Sequence, residues 1–396
     1  MARELNEVVV VDAIRTAFGK AGDKGIFWKT RADDLVVVLL KALIARNPQV
    51  KPEMIEDSLW GITNQMKEQG GTLGRVATML ADWGYSVPGC SIDRMCAGGL
   101  TAVSFGVTHI ATGMADCIVA GGVEHMGHLP MGFMRDPHPR SLEVMGGPTS
   151  LNMGQTAENI HERFPEFTRE MSDRYAVECQ RKADEAIKAG KMKEMIIPIE
   201  VELADGTRII ADKDQPPRPG ATIEGMRDLK TPFKENGSVT AGNASGLNDG
   251  AAVTLLMSEK KAKELGMKPK MRWVASAVAA CDPTIMGTAP VPATEKVLQK
   301  AGLTIKDMDI IEMNEAFAVQ ALYFLDRFGL KWDDPRVNKW GGAIAYGHPL
   351  ASSGPRLVAF LTGLFKENPQ AKYGLATMCV GRGQGYSVIW ENLTGK

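Results

Sequence analysis

Several short stretches of this 396-residue chain carry residue types that could do covalent chemistry. In Ser91–Ile110 a polar loop reaches Cys96, passes Ala97-Gly98-Gly99, and enters a segment with Leu100, Val103, Val107 and Ile110 at helical spacing. That spacing predicts Cys96 at or just before the N-terminus of a buried helix. Free backbone N–H groups and the positive end of the helix dipole meet there, and both favour a thiolate. The adjacent glycines are expected to leave a substrate carbonyl free to approach the sulfur. The reading is a nucleophile, and the alternative is a small buried residue at a helix start. His348 lies between Gly347 and Pro349 in GGAIAYGHPLASSG (341–354), which excludes it from an apolar helix face. Cys379 ends a strand in MCVGRGQG (378–385), followed by Gly381, Gly383 and Gly385. Asn314 and Glu315 end another strand in MNEAFA (313–318), a pattern that alone reads as a helix N-cap.

The rest of the chain must hold these groups in a globular enzyme. Its composition, 44% apolar and 23% charged, is ordinary for one, and its length calls for two or three domains. The net charge of −1 gives no field for nucleic acid or an anionic membrane, so an anionic ligand must meet local positive groups. Cysteines 90, 96, 117, 179, 281 and 379 form no CxxC pair, which argues against a zinc site or a disulfide framework. With no signal or transit peptide, no membrane-length apolar run and no Ser-Lys-Leu ending, a cytoplasmic, prokaryotic enzyme is expected.

Glu7–Ala13 reads as a strand covered on both faces, followed by a helix from Asp33 to Asn47. Ser58–Ile62 is a second strand, Gly71–Leu80 a second helix, and Ala115–Ala120 a strand closing on Gly121-Gly122. The alternation implies a parallel sheet with helices on both faces. From 124 to 236 the rhythm lapses, apart from one helix from Ser172 to Gly190, and this segment reads as an insertion. The rhythm then returns with strands at Met271–Ala279, Asp307–Glu312 and Tyr373–Met378, and helices at Ala293–Gly302, Asn314–Phe328 and Leu350–Phe365. ADCIVAGG (115–122) and YGLATMCVGRG (373–383) are alike, each a strand ending in a glycine turn, which suggests an internal duplication.

Taken together, these blocks resemble the thiolase family over essentially the whole chain. The resemblance includes VVVVDAIRTAFGK near the start, GGVEHM (121–126), GNASGLNDGAA (242–252) and the NEAFA, GGAIAYGHP and CVGRGQG stretches. GGVEHMGHLPM is most like the degradative 3-ketoacyl-CoA thiolases. The resemblance implies an α/β fold of five αβαβα layers in two similar halves. The N-terminal half would span 1–123 and 237–270, the C-terminal half 271–396, with an inserted loop domain at 124–236. It implies that Cys96 attacks the 3-keto carbon, His348 moves the thiol protons, and Cys379 is the acid for the departing enolate. The N–H groups of Cys96 and Gly381 would form one oxyanion hole, and His348 with a water held by Asn314 the other, while Glu315 orients this network. Coenzyme A enters as a substrate, met by Arg218, Ser245, Ala241, Met153 and Phe233, with no permanently bound cofactor and no metal. The resemblance also implies a homodimer or homotetramer, with a hydratase–dehydrogenase subunit as a further partner.

The sequence departs from the family pattern at several points. Cys-x-Ser-Gly becomes Cys96-Ala97-Gly98-Gly99, the usual Asn before it is Asp93, Gly-His-Pro-x-Gly ends in Ala351, and a usual glycine is Arg382. Asp93, if close and unpaired, would raise the Cys96 pKa. Asn152 stands where short-chain members carry histidine; with Met126, Met131, Met134, Met145 and Met153 this suggests a long or adaptable acyl pocket, unless the methionines pack the loop domain. His125 and His128 have a metal-like spacing but no evident carboxylate partner, and loop packing is expected. The expected reaction is thiolytic cleavage of a 3-ketoacyl-CoA. The rivals are acetyl-CoA condensation and a non-catalytic acyl-CoA-binding subunit, which would have no need of Cys96, His348 and Cys379 together.

Overall fold

β1 (Val8–Arg15) opens with four valines, and all of its residues are buried, as a strand covered on both faces requires. The computed structural model describes residues 5–134 and 136–395. After β1 come α1 (Ala32–Arg46), β2 (Asp57–Gly61), α2 (Leu73–Leu80), β3 (Cys90–Ile92), α3 (Gly98–Ala111) and β4 (Cys117–His125). The chain then leaves the sheet for α4 (Met153–Arg163), α5 (Arg169–Lys188) and a small hairpin of Ile199–Glu202 with Arg208–Ala211. It returns with β5 (Asn248–Ser258), β6 (Met271–Ala280), α6 (Pro290–Ala301), β7 (Ile310–Asn314) and α7 (Ala318–Arg327). The last elements are α8 (Ala343–Tyr346), α9 (Ser353–Glu367), β8 (Tyr373–Val380) and β9 (Gln384–Asn392).

The strands follow the order β7-β8-β9-β6-β1-β5-β4-β2-β3. Within it the duplication is plain. β1-β5-β4-β2 and β6-β9-β8-β7 repeat one pattern, antiparallel, antiparallel, then parallel. β4 and β8, the strands expected to correspond, occupy equivalent places. The halves join where β1 meets β6 at Val9↔Arg272 and Val10↔Met271. α3 and α9 pack against each other between the half-sheets, α1 and α2 cover one outer face, and α6 covers the other. Five layers result, and the two central helices carry the loops that precede them, one with Cys96 and one with His348, to the same place.

β5 and β9 have no counterpart among the expected elements. Both begin on glycine-bearing stretches, Asn248-Asp249-Gly250 and Gln384-Gly385, which mask strands that are otherwise mostly apolar and buried. They are antiparallel to their neighbours, so the sheet is mixed rather than parallel. The expected helix from Asn314 starts only at Ala318, because Gln320 holds the turn before it: Gln320 Nε2 donates to the Asn314 carbonyl (3.0 Å) and its Oε1 accepts from the Ala316 N–H (3.0 Å). The inserted segment also holds α4 and the hairpin, beyond its one expected helix.

A buried charge cluster joins β1, α1 and the start of β6. Asp12 receives Arg46 Nε at 2.8 Å and Lys270 Nζ at 2.5 Å. Burial opposes the charge on Asp12, but the two cations outweigh it and hold the carboxyl down at about 2. A carboxyl depressed in the fold stabilises it above the ordinary carboxylate pKa, and that stability is lost as pH falls from about 4 through about 2. Asp12→Asn is therefore expected to lower stability at pH 7 by about 2 kcal/mol and to flatten acid unfolding in that window, measured by urea melts at stepped pH.

Candidate active site

Cys96 sits on a one-turn 3-10 helix, Met95–Ala97, that runs straight into α3, and its side chain is buried. Met95 before it has φ +45°, held by the Asp93 carboxylate, which accepts the Met95 N–H at 2.7 Å. Asp93 is therefore not the unpaired charge that the expected effect on Cys96 required; it caps the strained turn that presents the sulfur. The glycines serve a different purpose from the one expected. A β-carbon at Gly61 would meet the Gly98 carbonyl carbon at 2.0 Å, and one at Gly99 the Ala351 carbonyl oxygen at 2.3 Å. They admit the protein's own backbone, closing the Cys96 turn onto β2 and onto the His348 loop.

Two departures from the family pattern meet at this contact. The ideal β-carbon of Gly98 lies 3.2 Å from Ala351 Cβ, so a side chain missing at 98 makes room for the one gained at 351. Gly98→Ser alone is expected to cost about 1–3 kcal/mol through overpacking. Adding Ala351→Gly should return most of it, a coupling of about 1 kcal/mol readable in a double-mutant cycle of thermal melts.

His348 is 5% exposed and sits in the turn between α8 and α9. Asn248 Oδ1 accepts its backbone N–H at 3.0 Å, and its Nδ1 is hydrogen-bonded to Ser353 Oγ at 2.6 Å. Asn314 Nδ2 lies 3.4 Å from both ring nitrogens, and Asn314 Oδ1 is buried without a protein partner. Burial, reinforced by the Arg356 guanidinium, pushes the His348 pKa down to about 3 rather than leaving it near its ordinary value. The imidazole is neutral at working pH.

Cys379 is fully buried at the end of β8 and donates to Gln320 Oε1 at 3.4 Å. Burial first, and then the nearby Cys96, push its thiol pKa well above the ordinary range, so it stays protonated. Gly381 follows at the next turn, where a β-carbon would meet Met95 Sδ at 2.8 Å.

Glu315 lies elsewhere. It accepts from Tyr175 Oη (2.8 Å), Cys179 Sγ (3.4 Å), Asn338 Nδ2 and the Ile344 N–H (3.3 Å), and touches neither His348 nor Asn314. It ties α5 of the insertion to the loop that leads into His348, so any influence on the catalytic groups passes through the backbone. Sequence reasoning also missed Gln320, Ser353 and Asn248. Ser353 and Gln320 follow His348 and Asn314 by one or two helical turns, a spacing that places a side chain back over the residue before the helix.

A cavity of about 260 Å³ opens above Cys96, lined by Met95, Leu129, Met131, Leu151, Met153 and Gly381 among others. Of the methionines proposed for an acyl pocket, Met131 and Met153 line it, Met126 is buried in the core, Met145 is half-buried, and Met134 is exposed. Asn152 caps α4 through Oδ1. Of the residues expected at coenzyme A, Arg218 is exposed and its guanidinium donates to the Ala241 carbonyl at 2.9 Å. Phe233 packs against Gly154 beside Met153, and the Ser245 N–H donates to the Ala316 carbonyl at 3.0 Å.

His125 and His128 do have a carboxylate neighbour, contrary to expectation, since Glu68 Oε1 is 2.9 Å from His128 Nδ1. The two rings stack at 3.7 Å, and their Nε2 atoms bond the Phe27 and Trp28 carbonyls at 3.0 and 2.7 Å. Every ring nitrogen is engaged with protein, as packing of the loop requires.

The comparisons with known proteins agree with this arrangement. The chain matches the thiolase N-terminal domain over residues 8–260 and the thiolase C-terminal domain over 267–392. It is 44% identical over 393 residues to a 3-ketoacyl-CoA thiolase of Vibrio parahaemolyticus, covering 99% of this chain and 100% of that one. A 3-ketoacyl-CoA thiolase of Idiomarina loihiensis is also 44% identical, with 98% and 100% covered. The solved acetyl-CoA acetyltransferase of Bacillus anthracis superposes with a TM-score of 0.89 at 34% identity, over 99% of this chain and 100% of that one. With two duplicated half-sheets, two central helices and the cysteine and histidine turns they bring together, the chain belongs to the thiolase family.

Proposed function

We propose that the protein cleaves 3-ketoacyl-CoA with coenzyme A, yielding acetyl-CoA and a shortened acyl-CoA. Cys96 Sγ gives its proton to neutral His348 and attacks the 3-keto carbon. The C2–C3 bond then breaks, leaving an acyl group on Cys96 and an acetyl-CoA enolate, which takes a proton at carbon from Cys379. The His348 imidazolium returns its proton to the Cys379 thiolate. Neutral His348 then takes the thiol proton of coenzyme A, whose sulfur attacks the thioester, and passes it to the departing Cys96. The N–H groups of Cys96 and Gly381 stabilise the oxyanion of the attacked carbonyl, and His348 with an Asn314-held water the enolate. The observation that carries this reading is the second buried cysteine. Cys379 is protonated, held by Gln320, and close enough to Cys96 to feel its charge, so one sulfur attacks while the other manages the proton.

In this reading the acyl chain occupies the cavity of Met131, Leu151 and Met153, and coenzyme A enters past Arg218, Ala241, Phe233 and Ser245. Degradation of fatty acyl chains is the favoured setting, and the six unpaired cysteines support a cytoplasmic one. Among the described residues no helix is long and apolar enough to cross a membrane. Assembly as a homodimer or homotetramer is supported by the free edge of β3 and by exposed Met79, Leu80 and Tyr85 near it in sequence.

The test is coenzyme A-dependent cleavage of a 3-ketoacyl-CoA series from C4 to C16, followed by loss of the enolate absorbance. Cleavage extending beyond C4 supports the degradative reading. Activity confined to C4 favours the acetyl-CoA condensing role, and binding without cleavage favours a non-catalytic subunit.

A further inference from the structure

Arg382 stands in the turn between β8 and β9 with φ +66°, a left-handed conformation that a β-carbon strains and glycine adopts freely. Its neighbour Gly383 shares that conformation, so a second glycine would relieve the turn at no steric cost. The strained residue is also a cation, and it lines the cavity above Cys96. Among the described residues its guanidinium has no carboxylate partner. Arg163, Arg174 and Arg181, exposed like it, each pair with one.

The cavity offers no charge of its own to Arg382. Its one acidic lining residue, Glu124, is turned into the protein and accepts from the Thr63 N–H (3.1 Å), the Asn64 N–H (3.3 Å) and Gln69 Nε2 (3.0 Å). Burial raises the Glu124 pKa, against the pull of these hydrogen bonds. The remaining walls are largely apolar, with Leu129, Pro130, Met131 and Leu151 among them. An apolar channel that begins at a nucleophile and carries one unpaired guanidinium fits a chain that is apolar near its reacting carbon and anionic further along.

We propose that Arg382 binds a carboxylate borne by the acyl chain, so that the preferred substrates are 3-ketoacyl-CoAs whose acyl group ends in a carboxylate. This inference rests on the thiolase reading of the same site. The phosphates of coenzyme A are the other source of negative charge, but of the residues expected at coenzyme A only the uncharged Met153 lines this cavity, and Arg218, Ala241, Phe233 and Ser245 do not. An arginine fork is the side chain suited to carboxylate recognition, and lysine keeps its charge without the bidentate geometry.

The experiment compares kcat/KM on two 3-ketoacyl-CoAs of equal length, one with a terminal methyl and one with a terminal carboxylate. The wild type is expected to prefer the carboxylated substrate. Arg382→Gly should lower the ratio of the two kcat/KM values about tenfold or more, and Arg382→Lys should retain an intermediate ratio. Relief of the left-handed strain should meanwhile raise the melting temperature of Arg382→Gly by about 1–2 °C, separating lost recognition from lost folding. An unchanged ratio in Arg382→Gly overturns the proposal, and an equal loss on both substrates does so by assigning Arg382 to the coenzyme A phosphates. A wild type that cleaves only the methyl-ended substrate overturns this inference and leaves the thiolase reading standing. Cleavage of neither removes both.

Discussion

Cys96→Ala is expected to abolish turnover, with kcat for 3-ketoacyl-CoA cleavage falling by at least about 10⁴-fold. Nothing else described at the site can replace the sulfur. Cys379 is the nearest candidate, but burial keeps it protonated even without the Cys96 sulfur, and its hydrogen points at Gln320. Without Cys96 no acyl-enzyme forms, so both halves of the ping-pong cycle stop together. Mass spectrometry after mixing with a 3-ketoacyl-CoA lacking free coenzyme A should show an acyl adduct on the wild type and none on Cys96→Ala. The variant should still fold, because its turn is set by the Asp93–Met95 contact and by Gly61, Gly98 and Gly99 rather than by the thiol. An acyl adduct on Cys96→Ala would transfer the nucleophile's role to another residue.

Cys379→Ala is expected to divide the cycle rather than end it. Carbon–carbon cleavage should fall by about 10³-fold, the range for removing a positioned general acid. Exchange of an acyl group between acyl-CoA and labelled coenzyme A needs Cys96 and His348 but no proton on carbon, and should fall far less. The same division separates Cys379 from a merely structural cysteine, whose loss would depress both reactions alike. Equal losses in cleavage and exchange would count against Cys379 as the acid.

The pH dependence follows from His348. With its pKa pushed down to about 3, no loss of kcat/KM traceable to imidazole protonation is expected near the ordinary histidine value of about 6.5. A stopped-assay pH series from 5 to 8 reads this directly, and an acidic limb that persists after allowing for substrate ionisation would place His348 in a wetter, less buried site.

Much of this site was legible before any fold was built. Cys96, His348, Asn314 and Cys379 are short-range features, each a polar or nucleophilic residue at a strand end or helix start, and all but Asn314 have a glycine or proline within two residues. Residue types and local spacing also carry the buried strand at Val8–Arg15, the helix after Cys96 and the paired β4 and β8. Those signals are periodicities and turn chemistries, and they are written into a few neighbouring residues.

What they leave open depends on contacts between residues far apart in the chain. That Glu315 reaches Tyr175 and Cys179 rather than His348 follows from where α5 of the insertion lies, about 140 positions away in sequence. The glycines around Cys96 read as access for substrate, yet they serve the close approach of β2 and Ala351, because backbones packed this closely leave no room for a β-carbon. The lowered pKa of His348 likewise belongs to its burial beside Arg356 and not to its residue type. Side-chain identity and spacing name the groups that react. Direction, burial and charge environment arise only when distant segments pack, since desolvation and Coulomb interactions depend on distance in space rather than along the chain.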